Sequence, residues 1–200
     1  MLVELAQRAA SIGWVYDLSQ NVAGAHLVRR RLRRHLAAIC TFPGWVLDIG
    51  GGTGKLQALI PPGCRYFCLD IEMPKLQRYV QINQSSNPLL ADATRMPVRT
   101  ASVDLVTWIF IAHHLTDEML AAALDETGRV LKEGGWILFL DPVFSARRWP
   151  GRLLWKLDRG SHPRSEEDLR FVLNSRFQME QWNRFAIYHR YLLGMGRKLS

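Results

Sequence analysis

The stretch VLDIGGGTGKL, Val46–Leu56, decides the fold of this 200-residue chain. A short apolar run reaches an acid, Asp48, and then breaks into glycines at positions 50, 51, 52 and 54. Glycine tolerates left-handed backbone conformations and lets a ligand approach the main chain without meeting a Cβ atom. A glycine loop between a strand and a helix is typical of nucleotide-binding folds, because the helix N-terminus attracts anionic groups.

The spacing of the loop separates three kinds of nucleotide site. The loop has the pattern G-x-G-x-G, whereas a dinucleotide fingerprint, G-x-G-x-x-G, requires glycine at position 55, where Lys55 stands. A P-loop requires Ser or Thr after its Gly-Lys pair, but Leu56 follows here, and Ile49 occupies the position of its first glycine. Both of these sites are therefore excluded.

The middle of the chain alternates between apolar strand-like runs and helical patterns. The five runs predicted to be strands buried on both faces are WVLDIG (45–50), RYFCLD (65–70), NPLLAD (87–92), VDLVTWIFI (103–111) and GWILFLD (135–141). The predicted helices between them, the last of which Thr116 caps, are KLQALI (55–60), PKLQRYVQIN (74–83) and TDEMLAAALDETGRVLK (116–132). This alternation predicts an α/β fold with a parallel sheet and right-handed crossovers.

The C-terminal segment 176–198 has a different pattern. It is rich in aromatic residues and is interrupted near Tyr188 and His189, which indicates two strands of a hairpin rather than another strand–helix unit. An antiparallel pair is therefore expected to end the parallel sheet. A chain of this length is expected to form one domain.

At this point the chain resembles the class I S-adenosylmethionine-dependent methyltransferases, especially the small-molecule branch typified by quinone-biosynthesis methyltransferases. The resemblance covers residues 44–141 and rests on five segments in the family's order: VLDIGGGTG, LDIEMPKL, ADATRMPVRTASVDLV, AHHL and RVLKEGGWILFLD. It implies a Rossmann-like seven-stranded sheet, mostly parallel, with helices on both faces and a C-terminal antiparallel hairpin. It also implies that the cofactor is S-adenosyl-L-methionine and that the protein is an enzyme.

We divide the single domain, residues 1–200, into four parts. They are an N-terminal helical segment (1–43), the cofactor-binding core (44–141), a substrate-side insertion (142–175) and the C-terminal hairpin (176–200). In the resembled family the insertion commonly shapes the substrate pocket.

The glycine loop meets the methionine end of the cofactor in the resembled family, which assigns Gly50, Gly52 and Gly54 to that contact. Asp48, at the end of the first strand, is expected to help hold the ammonium group. Asp70 ends the second strand 22 residues later, where a carboxylate accepts hydrogen bonds from both ribose hydroxyls. The alternative for both acids is a helix-capping role.

The adenine contacts are expected after the third strand. By the same resemblance, the Asp92 carboxylate accepts from the adenine amino group and the Ala93 N–H donates to the ring, while Ile71 and Met96 flank its face. The alternative for Asp92 is a turn residue, and the alternative for Ile71 and Met96 is general core packing.

Methyl transfer from a sulfonium needs alignment above all, and a base only where the acceptor must lose a proton. The segment IFIAHHLT follows the fourth strand, and His113 and His114 are its side chains that titrate near neutrality. Each is a candidate base, with ordering of the loop as the alternative, and Asp141 after the fifth strand is a further candidate. The weaker candidates are Tyr16, Tyr188 and His189. The Asn/Asp-Pro-Pro-Tyr/Phe motif of adenine amino-methylating enzymes is absent, which disfavours base N-methylation.

The net charge of +8 is carried by the two flanks of the chain. Residues 19–39 predict a helix whose arginines lie outside its apolar stripe, so that a phosphate-binding surface competes with an ordinary solvated face. Residues 145–164 interleave tryptophan and leucine with arginine, which suits a helix on anionic lipid or a lid over an apolar substrate. The alternative for that segment is plain core and surface.

The favoured function is methyl transfer to an apolar or amphipathic small molecule, including a lipid-linked one. The alternatives are an RNA methyltransferase that uses the arginine-rich flanks, and a non-catalytic S-adenosylmethionine-binding protein. A nucleic-acid partner is disfavoured because no appended RNA-binding domain is recognisable. The acceptor, the attacking atom and the oligomeric state stay open.

The location is expected to be cytoplasmic, with peripheral contact to the anionic inner face of a membrane as the alternative. The first ten residues include Glu4 and Arg8, unlike a secretory signal, and no apolar run approaches the roughly 20 residues of a membrane span. No metal site is expected, because the three cysteines contain no C-x-x-C pair.

Overall fold

The computed structural model describes residues 25–41, 43–84, 86–144, 162–187 and 189–199. The strands in these ranges are β1 (Trp45–Ile49), β2 (Arg65–Asp70), β3 (Pro88–Leu90), β4 (Val103–Ile109), β5 (Leu131–Val143), β6 (Phe177–Ala186) and β7 (Arg190–Lys198). The α-helices are α1 (Ala25–Ile39), α2 (Met73–Ile82), α3 (Asp117–Val130) and α4 (Glu166–Asn174), with 3-10 turns at Gln57–Leu59 and Ala112–His114.

The seven strands form one sheet in the order β3-β2-β1-β4-β5-β7-β6. The first five strands pair in parallel, whereas β7 pairs antiparallel with both β5 and β6. The predicted seven-stranded α/β sheet with a C-terminal hairpin is therefore confirmed. The loops after β1, β2 and β4 all leave the same edge of the sheet, so the sequence motifs that follow these strands meet there.

Two apolar cores cover the two faces of the sheet. One face buries the predicted stripe of α1 against β5 and β7, through Val28, Leu32, Leu36 and Ile39. The other face packs α3 and α4 around Trp108, whose indole N–H donates to the Thr127 hydroxyl. Thr116 caps α3 by accepting from the Met119 N–H, as predicted.

Several element ends differ from the sequence-based expectation. β4 ends at Ile109 because Phe110 has a positive φ of 61°, which no extended strand tolerates. The predicted helix 116–132 ends at Val130, since the fully buried Leu131 pairs with Val103 and begins β5. The predicted helix KLQALI forms only the short turn Gln57–Leu59. The described residues do not include 1–24, 145–161 or 188. The predictions for Tyr16, for Tyr188 and for most of the tryptophan-rich insertion therefore lie outside them.

Candidate functional site

The glycine loop after β1 requires glycine at each predicted position. Gly50, Gly52 and Gly54 have φ values of 65°, 56° and 71°, the left-handed region that favours glycine. A Cβ atom at Gly50 would lie 2.1 Å from Ile111 Cδ1, and one at Gly54 would lie 2.1 Å from the Tyr79 ring. The loop is thus held tightly between the segment after β4 and helix α2.

Gly52 is the glycine with a positive φ in this loop that has free space where a Cβ atom would lie. A Cβ atom there would meet only Lys75 Cδ at 3.8 Å and Asp70 Oδ2 at 3.9 Å. The Gly52 N–H donates to Asp70 Oδ2 at 2.9 Å, and the Glu72 N–H donates to Asp70 Oδ1 at 2.8 Å. A carboxylate has about four lone-pair sites, so Asp70 keeps acceptor capacity for a ligand beside Gly52.

Asp48 lies beneath the loop, in the core of the sheet. Its oxygens accept hydrogen bonds from the Tyr66 hydroxyl at 2.5 Å and from the Thr107 hydroxyl at 2.6 Å. Burial raises the pKa of the Asp48 carboxyl to about 6, although both hydroxyls favour the ionised form, and the charge of Asp70 adds to the rise. All of these contacts are within the protein, an arrangement that suits a residue supporting the loop from below.

The four residues assigned to adenine lie in different environments. Asp92 is exposed two residues beyond β3, and its Oδ1 accepts from the Thr94 N–H and hydroxyl, both at 2.8 Å. Ile71 is 66% exposed directly after β2, so the alternative of core packing is wrong for this residue. Met96 is buried in the core, as that alternative predicted, and Ala93 is buried beside it. The ligand contacts of all four remain predictions.

His113 and Asp141 meet at the end of β5. The His113 Nδ1 lies 2.6 Å from Asp141 Oδ1, and the Ala112 N–H donates to Asp141 Oδ2 at 2.7 Å. Both side chains are buried, at 5% and 1% exposure. His114 is exposed, with its ring centroid 4.1 Å from that of His113. The His189 ring lies 6.1 Å from the Tyr191 ring, at the start of β7.

Arg164 is a buried residue of this region that the sequence did not reveal. Its guanidinium donates to the Ala112 and Leu115 carbonyls, each at 2.7 Å, and to the Asp117 carboxylate at 2.8 Å. Arg164 therefore fixes both ends of the turn that carries His113. A single arginine in a basic segment has no distinctive pattern, so only the tertiary contacts identify it.

The described ranges contain neither a metal-binding cluster nor a helix that could span a membrane. No group of three or more histidines, cysteines and acids there is arranged to hold a metal ion. None of the helices in those ranges has both the length and the apolarity needed to cross a membrane.

A methyltransferase domain model matches residues 47–139, from β1 into β5. Among curated proteins, the tRNA (carboxymethyluridine(34)-5-O)-methyltransferase of Arabidopsis thaliana is 33% identical over 112 residues, which cover 56% of this chain and 26% of that protein. The malonyl-[acyl-carrier protein] O-methyltransferase of a Methylovorus species is 32% identical over 124 residues, which cover 56% of this chain and 41% of that protein. The chain thus spans less than half the length of these two relatives.

A solved structure of similar fold is the 1,6-didemethyltoxoflavin-N1-methyltransferase of Burkholderia thailandensis. It superposes with a TM-score of 0.73 at 18% identity, over 98% of this chain and 89% of that one. At this identity the similarity establishes the fold alone. Together with the domain match and the curated relatives, it leads to one conclusion: residues 47–139 belong to the methyltransferase domain family, in the class I fold.

Proposed function

We propose that this chain transfers a methyl group from S-adenosyl-L-methionine to an acceptor whose nucleophile must lose a proton. The observation that carries the proposal is the hydrogen bond from the Gly52 N–H to Asp70. This bond joins the glycine loop after β1 to the acid after β2, beside the one open position of the loop. In the class I fold those two features bind the two halves of the cofactor.

The protein groups present fit this cofactor. Gly52 leaves space for the methionine end, the remaining lone pairs of Asp70 suit two ribose hydroxyls, and the exposed Ile71 offers an apolar side chain next to Asp70. Asp92 and the Ala93 N–H are assigned to adenine by the family resemblance. Bound there, the cofactor supplies a methyl group already activated by the sulfonium.

His113 and Asp141 provide the candidate base. Because an ionised carboxylate only accepts hydrogen bonds, the proposal assigns the ring proton of His113 to Nδ1, next to Asp141, and the base function to Nε2. In this proposal Nε2 takes the proton of the methyl acceptor, and Asp141 stabilises the resulting imidazolium. The Ala112 N–H and Arg164 hold both groups in place from the protein side.

Two classes of acceptor are compatible with this chemistry. The sequence favours an apolar or amphipathic small molecule as the first class. A second candidate is RNA, which is favoured by the exposed arginines of α1 and parallels the relative that acts on tRNA. In both cases a hydroxyl or amine acceptor needs a base, whereas a carboxylate does not.

Isothermal titration calorimetry tests the cofactor assignment with S-adenosylhomocysteine as the titrant. We expect binding by the native protein and binding weaker by about tenfold or more in Asp70→Ala, because charge-assisted hydrogen bonds to the ribose are removed. NAD should give no heat.

The matched control is Asp125→Ala, which removes an exposed carboxylate paired with Arg176 on the surface of α3. This variant should bind S-adenosylhomocysteine like the native protein. Equal affinities of Asp70→Ala and native protein would refute the ribose assignment, and binding of NAD alone would refute the proposed function.

A further inference from the structure

Helix α1 presents a dense array of arginines to solvent. Arg29, Arg30, Arg31, Arg33 and Arg34 are all exposed, and the helix contains no acid. Across the described residues, none of these five guanidinium groups forms an ion pair with a carboxylate, although Arg31 stacks on the Phe185 ring. Five like charges within two helical turns repel one another, so a binding partner of opposite charge is the natural source of stabilisation. We call these five residues the arginine face.

The apolar side of α1, opposite the arginine face, is buried in the core. Val28, Leu32, Leu36 and Ile39 are at most 7% exposed and pack on the sheet. An interfacial membrane helix must turn such a stripe toward the lipid, which α1 cannot do without leaving the core. The arginine face is therefore suited to charge recognition rather than to insertion into lipid.

A continuous set of ring contacts joins the arginine face to the candidate active site. The Arg31 guanidinium lies 4.6 Å from the centroid of the Phe185 ring, and Phe185 stacks on Tyr191 at 5.1 Å. Tyr191 lies 5.7 Å from the ring of Phe110, the residue that precedes Ile111. Ile111 in turn packs against Gly50 of the glycine loop.

The combination of charge and rings favours single-stranded nucleic acid over other anions. Proteins that bind single-stranded nucleic acid pair a basic track for the backbone with aromatic side chains on which bases stack. Helix α1 contains five arginines and no lysine. Arginine forms forked hydrogen bonds to phosphate, which lysine does not. Phe185 is half-buried and contacts both the Arg31 guanidinium and the Tyr191 ring, so this ring holds Arg31 and connects the track to the site.

We propose that the arginine face and Phe185 form a binding surface for single-stranded RNA that leads to the candidate active site. The surface deepens the proposed function by naming RNA as the acceptor class. RNA binding is nevertheless measurable without cofactor, so that its failure and a failure of cofactor binding are distinguishable. The binding step involves no covalent change.

Fluorescence anisotropy with a labelled single-stranded RNA of about 20 nucleotides tests the surface across a series of salt concentrations. The double variant Arg30→Gln/Arg34→Gln should weaken binding by about tenfold or more at 0.1 M salt. It should also reduce the salt slope by about 1.4, because each phosphate that an arginine neutralises on a single strand contributes about 0.7 to that slope. The variant Phe185→Leu should weaken binding by about fivefold without changing the slope, because the ring that holds the Arg31 guanidinium is removed and charge is not.

The matched control is Arg78→Gln/Arg99→Gln, which removes the same charge from two exposed positions outside α1. It should bind RNA like the native protein. Absence of RNA binding by the native protein at low salt, or equal weakening in the two double variants, would overturn the proposal. Binding to phosphatidylserine vesicles without binding to RNA would overturn it in favour of a membrane. Calorimetry with S-adenosylhomocysteine on the same samples verifies that the variants are folded.

Discussion

The Tyr66 hydroxyl on β2 donates a hydrogen bond to the Asp48 carboxylate on β1, with 2.5 Å between the two oxygens. Thr107 on β4 donates to the other oxygen of Asp48 at 2.6 Å. One buried carboxylate thus joins three adjacent strands directly below the glycine loop. Burial disfavours the ionised form of Asp48, and this effect makes the stability of the protein depend on pH.

Asp48 should make the native protein less stable as pH rises from about 4 to about 7. The pKa of Asp48 in the folded protein is about 6, above its usual value of 3.8, so the folded state holds the proton more tightly. The stabilisation is complete below about pH 4 and is lost as pH rises through about 6, with a total of roughly 3 kcal/mol. Urea unfolding of native protein and Asp48→Asn across this range measures it. Parallel stability profiles for the two proteins would contradict the assignment.

Gly54→Ala should destabilise the protein by about 2–4 kcal/mol. Alanine disfavours the left-handed backbone of Gly54 by about 1–2 kcal/mol, and its Cβ atom would overlap the Tyr79 ring. The control is Gly128→Ala in α3, where an added Cβ meets nothing within 4 Å. This control should stabilise the protein by about 0.5–1 kcal/mol. Thermal and urea unfolding of both variants measure these changes in stability. Changes of the same sign in the two variants would contradict the prediction.

Arg164→Gln should destabilise the protein by about 2–4 kcal/mol, because the buried Leu115 carbonyl loses the guanidinium as a donor and the Ala112 carbonyl keeps only the Leu115 N–H. Hydrogen exchange of the amides in this turn should accelerate more than exchange elsewhere. Arg184→Gln is the control, since Arg184 is 72% exposed and its pair with Glu166 is worth at most about 1 kcal/mol. Uniform acceleration of exchange across the sheet would argue for a global effect instead.

His113→Gln should reduce methyl transfer by about a hundredfold or more while leaving cofactor binding intact, since a positioned base contributes at least that much. Asp141→Asn should have a similar effect, and the double variant should lose little more, because the two residues act as one unit. Transfer is measured as label passing from methyl-labelled cofactor into RNA, lipid and small-molecule fractions of a cell extract. His114→Gln, at the exposed neighbouring residue, is the control. A larger loss of methyl transfer in this variant than in His113→Gln would assign the base role to His114.

The sequence predicted the sheet well because strands buried on both faces leave a strong apolar signal. The bounds of β2, Arg65–Asp70, agree with the prediction at both ends, and the interruption near His189 marked the turn between β6 and β7. The predicted end of β4 was wrong by two residues because Phe110 has a positive φ, which an apolar run in the sequence does not reveal. Propensity carries no information about such a turn.

The candidate site was predictable where a residue type is tied to backbone geometry. The spacing of glycine at 50, 52 and 54 and of the acid at 70 predicts the loop with positive φ angles and a carboxylate close to it, whereas the ligand contacts of these residues stay predictions. Arg164 and the pairing of His113 with Asp141 depend instead on contacts between residues far apart in the chain. No local pattern encodes such contacts, and only the folded structure brings these residues together.

The position of β7 between β5 and β6 sets the order in which the sheet can be completed during synthesis. β5 gains its antiparallel neighbour only when residues 190–198 have left the ribosome, well after β5 itself has emerged. At about 5–20 residues per second, the edge of β5 stays unpaired for several seconds. The nascent chain therefore carries an open, apolar strand edge until β7 has emerged.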